Sequence, residues 1–531
     1  MTFSTLRALH AVIGAAIDDI ELVYRERSDA QGSTLEYPSL DEPYYHHAAQ
    51  HTPEEELAEE LKADPAVAAA TKRIVAACSQ LSTTVNKPWF GLMEDMLWAQ
   101  FSSAIRFLEA ANIVEILREA GPNGLHVQEI LRLVLELRTN SKTATPTDTV
   151  PLTPAHLSHI LRLLATGHYL REVKPDVFTN NRPSSYIDSG KTVSQLREAP
   201  EKKYNDTNGI AAYVGVAGDE SLKFMTTLVE WALPEKRRGT DTNFDYRAPP
   251  PAGGHDRSAS TDSDSEGAVV TPRYVAPFHV AFNTQLNLFA WYELPENEGR
   301  LARFGHAMVG TRQCESKDEI LRGFSWEDLP RGSVLVDVGG GIGAQAVVVA
   351  NAHPHIRVVV EDRAQVVAGA REAWGPQYAH LFESGRMSWR VYDFFEAWPP
   401  LLLPGLGTVD APDVFLLRGV LHDWTDENCK RQLLIGDMLL QHACADAAAY
   451  DTADGSAATF PFVTRDSPLL PNLGVANILG YITDLMMMDM FDAKERTVAE
   501  MTALTQSTGW KIIEVRRTPG AIWGYTTAVP V

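Results

Sequence analysis

From residue 331 onward, short runs of β-branched and other apolar residues alternate with stretches of helical pattern. The strand-like runs are 333–338, 356–361, 386–391, 413–418 and 433–437. This alternation predicts βαβ units, and therefore an α/β fold built around a mostly parallel sheet. The C-terminal stretch "WKIIEVRRTPGAIWGYTTAVPV" instead contains two strand-like runs around a Pro-Gly turn. It predicts an antiparallel hairpin at one end of the sheet.

A glycine-rich loop follows the first of these strand-like runs. The sequence "VLVDVGGGIGAQAVV" places Gly339, Gly341 and Gly343 between a strand and a helix. Glycines at such a junction let the backbone turn tightly and let a ligand approach it closely. Because open α/β sheets bind ligands at the carboxyl ends of their strands, this loop predicts a cofactor site. With Ala344 in the last place the spacing also satisfies the dinucleotide fingerprint, so the glycines alone do not choose the cofactor.

Acidic residues at three strand ends favour S-adenosylmethionine over a dinucleotide. Asp337, two residues before the first glycine, is placed to hold a cationic or amino group, such as the methionyl end of this cofactor. Glu361 and Asp362 end the second strand, where an acid can accept both ribose hydroxyls. Asp393 and Phe394 end the third strand, where an acceptor and an aromatic ring can bind adenine.

The N-terminal part of the chain has a helical pattern and contains few strand-like runs. Residues 1–110 predict a helical region, and the nearly all-apolar stretch 91–118 predicts a buried helix that could form a dimer interface. Residues 111–195 predict a helix-turn-helix followed by a hairpin, as in a winged helix. Such a domain either binds DNA or packs against protein. The formal net charge of −22 repels nucleic acid and favours packing.

Two further regions complete the predicted organisation. Residues 196–330 predict a helical linker and substrate-pocket region, interrupted by an insert at about 236–273. The insert is rich in Pro, Gly, Ser and Asp, and such a composition predicts disorder. Residues 331–531 predict the cofactor-binding domain.

Bulk properties indicate a cytoplasmic protein that binds neither nucleic acid nor membranes. The chain of 531 residues has no apolar run long enough to span a bilayer, and its N-terminus does not resemble a signal peptide. The cysteines form no CxxC pair, which predicts reduced thiols and no metal site. They are Cys78, Cys314, Cys429 and Cys444.

Taken together, these motifs resemble the plant- and fungal-type small-molecule O-methyltransferases, the family of caffeate and flavonoid O-methyltransferases. The resemblance rests on the glycine loop, the strand-end acid, "DFF", "LLRGVLHDWTDENC" and "DAKERTVAEMTALTQSTGW". It covers most of the chain, but little of the first 60 residues or of the insert. It implies a Rossmann-like class I methyltransferase sheet behind an N-terminal helical, winged-helix dimerisation domain, with S-adenosylmethionine as cofactor.

The resemblance also implies roles for individual residues. The cofactor-binding positions that match the family are Gly339, Gly340, Asp362, Asp393, Phe394 and Arg418. His422 matches the family's general base. A neutral imidazole can take a phenolic proton while the oxygen attacks the sulfonium methyl group. Such a histidine needs one nitrogen fixed by an acceptor, and Asp437 and Glu495 match the two acids that the family supplies. The neighbouring Asp423, Asp426 and Glu427 are interpreted as acids of a first helical turn.

The predicted substrate pocket is apolar and suited to a flat aromatic ligand. Phe304 and Met308 are four residues apart on one helix and match a family position that contacts the acceptor ring. The run "DLMMMDMF" adds methionines, among them Met487, whose side chains adapt to aromatic ligands. Ordinary core packing explains each of these residues equally well.

A short crossover raises doubt about activity. Only residues 419–432 separate the fourth and fifth strands, which leaves room for a stunted helix over about 424–431 and for displacement of Asp437 from His422. We therefore keep four hypotheses open. The first is an O-methyltransferase acting on a phenolic hydroxyl of a small secondary-metabolite-like substrate. The others are an inactive cofactor-binding homologue, a nicotinamide oxidoreductase and a DNA-binding regulator.

Overall fold

The structure is a computed structural model. It describes residues 3–47, 51–139, 152–233, 275–311, 319–374, 378–396, 398–423, 434–444, 463, 467–518, 521 and 523–531. The predicted insert at 236–273 and the predicted stunted helix over 424–431 lie outside the described residues.

Four helices begin the chain. They are α1 (Phe3–Gln31), α2 (Pro53–Glu60), α3 (Pro65–Val85) and α4 (Pro88–Ala110). The start of α2 follows from its sequence, because the Thr52 hydroxyl accepts from Glu55 N and the Glu55 carboxylate accepts from Thr52 N. Helices α1 and α3 pack along each other.

The far end of the chain covers part of these N-terminal helices. Leu9 of α1 shares a buried cluster with Leu469 and Leu473. Gln80 of α3 donates a hydrogen bond to the Pro468 carbonyl, 388 residues later in sequence. The N-terminal helices therefore pack directly against the region that follows the central strands.

The next region contains three helices and a small antiparallel sheet. Its elements are α5 (Ile113–Ala120), β1 (Leu125–His126), α6 (Val127–Thr139), α7 (Pro154–Thr166), β2 (Arg171–Lys174) and β3 (Val177–Thr179). The strand order is β1-β3-β2. Two helix ends follow from their sequences: Gly121 follows α5 with a positive φ of 74°, and the Thr153 side chain caps α7 at His156 N.

The prediction of one buried helix over 91–118 was wrong in two respects. Helix α4 ends at Ala110 and α5 begins at Ile113, because Asn112 between them adopts a left-handed conformation with φ 55°. The first half of α4 is also exposed in the single chain. Its exposed apolar side chains, here called the α4 patch, are Trp89, Phe90, Leu92, Met96, Leu97 and Trp98.

A series of shorter helices leads to the large sheet. They are α8 (Arg182–Ser185), α9 (Val193–Glu198), α10 (Ile210–Val216), α11 (Leu222–Met225), α12 (Leu228–Ala232), α13 (Pro277–Phe282), α14 (Leu288–Tyr292), α15 (Glu298–Gly310) and α16 (Glu319–Arg322). An aromatic cluster joins α11, α13 and α14. Its buried members are Phe224, Phe278, Leu288, Trp291 and Tyr292.

The C-terminal part contains the predicted α/β sheet. Its first elements are β4 (Val334–Val338), α17 (Ala344–Ala352), β5 (Arg357–Asp362), α18 (Ala364–Trp374), α19 (Ala379–Glu383), β6 (Met387–Val391), β7 (Leu401–Leu403), β8 (Gly407–Val409) and β9 (Val414–Arg418). The remaining elements are β10 (Leu434–Leu440), α20 (Ile478–Phe491), β11 (Arg496–Thr497), α21 (Val498–Ser507), β12 (Trp510–Arg516) and β13 (Trp523–Pro530). All five predicted strands are confirmed, and β7 and β8 form an additional small hairpin.

The large sheet has the order β12-β13-β10-β9-β4-β5-β6, and β11 pairs with β10. The pairs from β10 to β6 are parallel, and β13 is antiparallel to both β10 and β12, as the C-terminal Pro-Gly turn predicted. Alternating residues enter two buried clusters, with Val336 in one and Leu335 in the other. Both faces of the sheet are therefore covered, and the carboxyl ends of its parallel strands lie along one edge.

No helix in the described part of the chain combines the length and apolarity needed to cross a bilayer.

Candidate active site

The glycine loop lies at the carboxyl end of β4 and approaches the neighbouring strand closely. Gly339 N donates a hydrogen bond to the Glu361 carbonyl at the end of β5. Gly341 has a φ of 60°. At Gly340, a Cβ atom would lie 2.5 Å from Asp337 Cγ, so a larger residue does not fit. The loop is therefore an open backbone cradle of the kind that binds a ligand against main-chain atoms.

Asp362 lies directly beneath this loop. Its Oδ2 atom accepts from Gly341 N at 2.8 Å, and its Oδ1 atom accepts from Arg363 N at 2.7 Å. Burial raises the pKa of the Asp362 carboxyl, while these two backbone donors lower it. Each carboxylate oxygen still has a second lone pair. The residue can therefore accept two further hydrogen bonds, as a ribose diol requires.

Asp337 lies directly against the loop at Gly340, and Arg418 is close enough to Asp337 to affect its charge. Burial raises the pKa of Asp337 to about 7, although the nearby Arg418 guanidinium acts to lower it. Arg418 ends β9, and its guanidinium lies 4.3 Å from the centre of the Trp523 ring. This cation–π contact holds the arginine beside the carboxylate. A buried carboxylate of this kind can accept a hydrogen bond from the amino group of a ligand bound at the glycine loop.

Two further candidates, Phe394 and Asp393, differ in their surroundings. Phe394 Cε1 lies 3.9 Å from the position of a Cβ at Gly339, so the ring borders the loop where an adenine wall was predicted. Asp393 is exposed, and its Oδ1 atom accepts from Phe395 N. Glu361 is buried in an ion pair with Arg390, so it supports the strand end, and Asp362 is the acid at the loop.

His422 lies on a tight turn just after β9. A 3₁₀ turn spans Leu421–Asp423, and Gly419 before it has a φ of 60°. Gly419 N donates to the Gly436 carbonyl on the adjacent strand β10. Buried Arg496 donates from Nη1 to the Leu421 carbonyl at 2.8 Å. The histidine is therefore fixed at the carboxyl edge of the sheet, next to the glycine loop.

Three carboxylates surround the imidazole. His422 Nδ1–H donates to Glu495 Oε1 at 2.7 Å, and His422 Nε2 lies 3.6 Å from Asp423 Oδ1. Burial acts to lower the pKa of His422, but the nearby carboxylates of Asp423, Glu495 and then Asp437 raise it to about 10. These carboxylates therefore favour the protonated form of the imidazole.

Asp437 lies near His422 without bonding to it. It is buried on β10, and neither of its carboxylate oxygens accepts a hydrogen bond from the described residues. Burial raises the pKa of Asp437 to about 7, and the charge of His422 acts to lower it. Glu495 is therefore the acid that orients the ring, while Asp437 acts on it through its charge.

The three candidate pocket residues lie on two helices. Phe304 of α15 packs 4.8 Å from the Tyr292 ring, at the edge of the aromatic cluster. Met308, one turn later, is 41% exposed. Met487 is buried on α20, a helix that packs against the His422 turn. The contacts join Phe304 to the aromatic cluster and leave Met308 on the surface of the single chain.

Sequence reasoning missed two residues near the imidazole. Asp423 was interpreted as an acid of a helix start, but its carboxylate lies beside Nε2, the nitrogen left free by Glu495. Arg496 was not singled out, although it holds the His422 turn and lowers the pKa of Asp437. It stands directly after Glu495 in the quoted "KERT" motif, so its position next to a candidate residue was the available signal.

Comparisons with known proteins agree with the fold and the loop. Residues 269–511 match the O-methyltransferase domain family. An O-methyltransferase of Armillaria gallica is 31% identical over 525 residues, which cover 96% of this chain and 95% of the relative. The 4-O-methyltransferase 1 of Phanerochaete chrysosporium is 32% identical over 529 residues, which cover 97% of this chain and 96% of the relative. The chain belongs to the O-methyltransferase family.

Solved structures place this O-methyltransferase in the class I fold. The mitomycin 7-O-methyltransferase structure aligns with a TM-score of 0.53 at 17% identity, covering 86% of this chain and all of the other. Human N-acetylserotonin methyltransferase, solved in complex with S-adenosylmethionine, aligns with a TM-score of 0.52 at 16% identity. The alignment covers 84% of this chain and 98% of the human protein. The cofactor of this O-methyltransferase is S-adenosylmethionine. The oxidoreductase and DNA-binding hypotheses gain no support from these similarities.

Replacing Asp362 with alanine is expected to weaken binding of S-adenosylhomocysteine by roughly 10- to 100-fold, because hydrogen bonds to a charged group contribute about 1.5–3 kcal/mol. Titration calorimetry measures this against a parent affinity expected in the micromolar range, roughly −8 kcal/mol. Asp362→Asn keeps an acceptor for Gly341 N and should lose less. Exposed Asp410→Ala is the matched control. Equal affinity of Asp362→Ala and the parent would remove the ribose assignment.

Proposed function

We propose that this O-methyltransferase transfers a methyl group to a phenolic hydroxyl of a small, secondary-metabolite-like aromatic substrate, with His422 as the general base. The observation that carries the proposal is the 2.7 Å contact between His422 Nδ1 and Glu495 Oε1, beside the glycine loop. This contact fixes the ring and leaves Nε2 for an acceptor hydroxyl.

The residues of the site suggest how the proton moves. S-adenosylmethionine supplies an electrophilic methyl group on a sulfonium centre. His422 Nε2 takes the proton from the acceptor hydroxyl, while Glu495 stabilises the imidazolium that forms. The carboxylates around His422 raise its pKa towards that of a phenol, about 10, and this makes the proton transfer more favourable. Apolar side chains of α15 and α20 position the substrate for the transfer.

The test is methyl transfer from isotopically labelled S-adenosylmethionine to a panel of phenols, read by mass spectrometry. Labelled methyl ethers support the proposal. Binding of S-adenosylhomocysteine without transfer to any phenol in the panel would favour the alternative of a catalytically impaired homologue. That alternative rests on Asp437, which makes no hydrogen bond to His422 among the described residues.

The rate is expected to depend on pH through His422. Because a base must be neutral, a pKa raised to about 10 predicts that kcat/KM rises from about pH 7 to about pH 10. Asp437→Asn removes a negative charge that raises this pKa, so the rising limb should move to lower pH. The pH profile of kcat/KM measures this, with exposed Glu514→Gln on the edge strand as control. A limb that stays in place or moves to higher pH contradicts the assignment.

We also infer a cytoplasmic homodimer, assembled through the N-terminal helices and the winged-helix-like region at 111–195. The α4 patch supports this: Trp89, Leu92 and Met96 lie on one side of the helix and are 64%, 55% and 71% exposed. Monomers seldom expose so many large apolar side chains together. A second copy presenting the same patch would cover them. The acidic charge of −22 argues against a nucleic-acid partner.

A further inference from the structure

Helix α20 carries a buried acid that the mechanism above does not use. Asp489 is 1% exposed, and neither carboxylate oxygen accepts a hydrogen bond from the described residues. Burial raises the pKa of Asp489 to about 6. An ionised carboxylate without a donor is costly in such surroundings. The residue therefore lowers the stability of the free protein, and a hydrogen-bond donor brought by a ligand would relieve that cost.

The position of Asp489 on its helix relates it to an open apolar surface. Residues four and seven positions earlier lie on the same face of a helix. These are Leu485 and Ile482, which are 44% and 45% exposed, and Ile478 another turn back is 45% exposed. This face of α20 is therefore apolar and exposed from Ile478 to Leu485, and one turn later it carries the buried carboxylate of Asp489. A ligand lying along this face would meet Asp489 at its inner end.

The two residues that follow Asp489 on α20 are apolar and aromatic. Met490 and Phe491 pack against the aromatic cluster that also contacts Phe304. Phe491 stacks on Phe289 with ring centres 5.6 Å apart. Helix α20 also lies close to the proposed base. It packs against the 3₁₀ turn of His422, and the Asp484 carboxylate on α20 accepts a hydrogen bond from Glu495 N. Helix α20, which carries Asp489, therefore packs against both the aromatic cluster and the turn of His422.

We propose that Asp489 accepts a hydrogen bond from a second hydroxyl of the aromatic acceptor, remote from the oxygen that is methylated, and so selects polyhydroxylated over monohydroxylated phenols. The inference rests on the proposed function, because it takes the acceptor to be a phenol bound along α20. A site with a buried hydrogen-bonding group rejects an analogue that lacks the partner, since the group then stays unpaired. An apolar residue at this position would not discriminate in this way.

The experiment measures binding of matched phenol pairs to the protein saturated with S-adenosylhomocysteine. The pairs are 4,4′-dihydroxybiphenyl with 4-hydroxybiphenyl, and resorcinol with phenol, which place the second hydroxyl at two distances. We expect the parent to bind the diol of at least one pair 10- to 100-fold more tightly, on the order of one hydrogen bond to a charged group. Asp489→Leu should reduce that ratio to about one, and Asp489→Asn, which keeps an acceptor oxygen, should retain part of it.

A purely structural role for Asp489 predicts a different outcome. Asp489→Leu would then raise the melting temperature and leave every affinity ratio unchanged. The matched control is Asp492→Asn, which should not change the ratios. Asp492 is an exposed acid in a left-handed conformation, which asparagine also adopts. Ratios near one in the parent, absence of binding by both pairs, or ratios unaffected by Asp489→Leu each overturn the proposal. Retained discrimination without any methyl transfer would instead count against the proposed function.

Discussion

Replacing His422 with alanine is expected to lower kcat by about 100- to 10,000-fold, the usual effect of removing a general base. This corresponds to about 2.7–5.4 kcal/mol of transition-state stabilisation. The reason is local: Glu495 fixes Nδ1 at 2.7 Å, and the other titratable side chain on the same turn, Asp423, is a carboxylate and a weaker base than imidazole. Steady-state kinetics with the best phenol from the panel measures the loss.

The affinity for S-adenosylhomocysteine should not change in this variant, because the cofactor contacts proposed above lie at the glycine loop and Asp362. His442→Ala is the matched control, since this exposed histidine lies beyond β10. Glu495→Gln should lose part of the activity, because the amide keeps an oxygen near Nδ1 but removes the charge. Turnover of His422→Ala within a few-fold of the parent would show that the residue is an inert, enclosed histidine.

Placing two charges in the α4 patch of each chain is expected to convert the proposed homodimer into a monomer. Leu92→Glu with Met96→Glu brings four carboxylates together in a symmetric interface, at positions that are 55% and 71% exposed in the single chain. Burying unpaired like charges costs several kcal/mol, so the dissociation constant should rise at least about 1,000-fold, or about 4 kcal/mol. Light scattering should then report 58.5 kDa for the variant and twice that mass for the parent.

Ile513→Glu provides the control for this experiment. Ile513 is also exposed, at 52%, but it lies on the edge strand β12, outside the N-terminal helices and the region 111–195. It should leave the dimer intact. A parent protein that is monomeric at micromolar concentration, or a double variant that remains dimeric, would show that α4 is covered in some other way.

Local pattern was sufficient to predict the sheet. The strands β4, β5, β6, β9 and β10 appear where β-branched runs alternate with helical stretches, because a parallel strand covered on both faces must be apolar along its length. The C-terminal hairpin followed from its Pro-Gly turn. The same turn chemistry stands in "LLLPGLGTV", where β7 and β8 pair, but this run is short and was not singled out. The break between α4 and α5 at Asn112 was not predicted, because a single left-handed residue does not change the spacing of apolar residues along the sequence.

The site was predictable where it depends on strand ends and less so where it depends on distant contacts. Asp362 and Phe394 border the glycine loop because parallel strands end along one edge. The contact between His422 and Glu495 joins residues 73 positions apart, and no local pattern contains it. The resemblance indicated the pair, but it could not show that Asp437 makes no hydrogen bond to the described residues. Asp489 was unpredictable for a similar reason, since its missing partners are a property of the folded surroundings.

The packing of the first helices against the far end of the chain has a consequence for biosynthesis. Leu9 and Gln80 leave the ribosome early, but Leu469 and Pro468, which cover them, are made 388 residues after Gln80. At about 5–20 residues per second this delay is roughly 20–80 s. During that time the apolar faces of α1 and α3 have no intramolecular cover from the C-terminal region. Because exposed apolar faces favour aggregation, we expect the nascent chain to be most prone to aggregate before residues 468 and 469 are made.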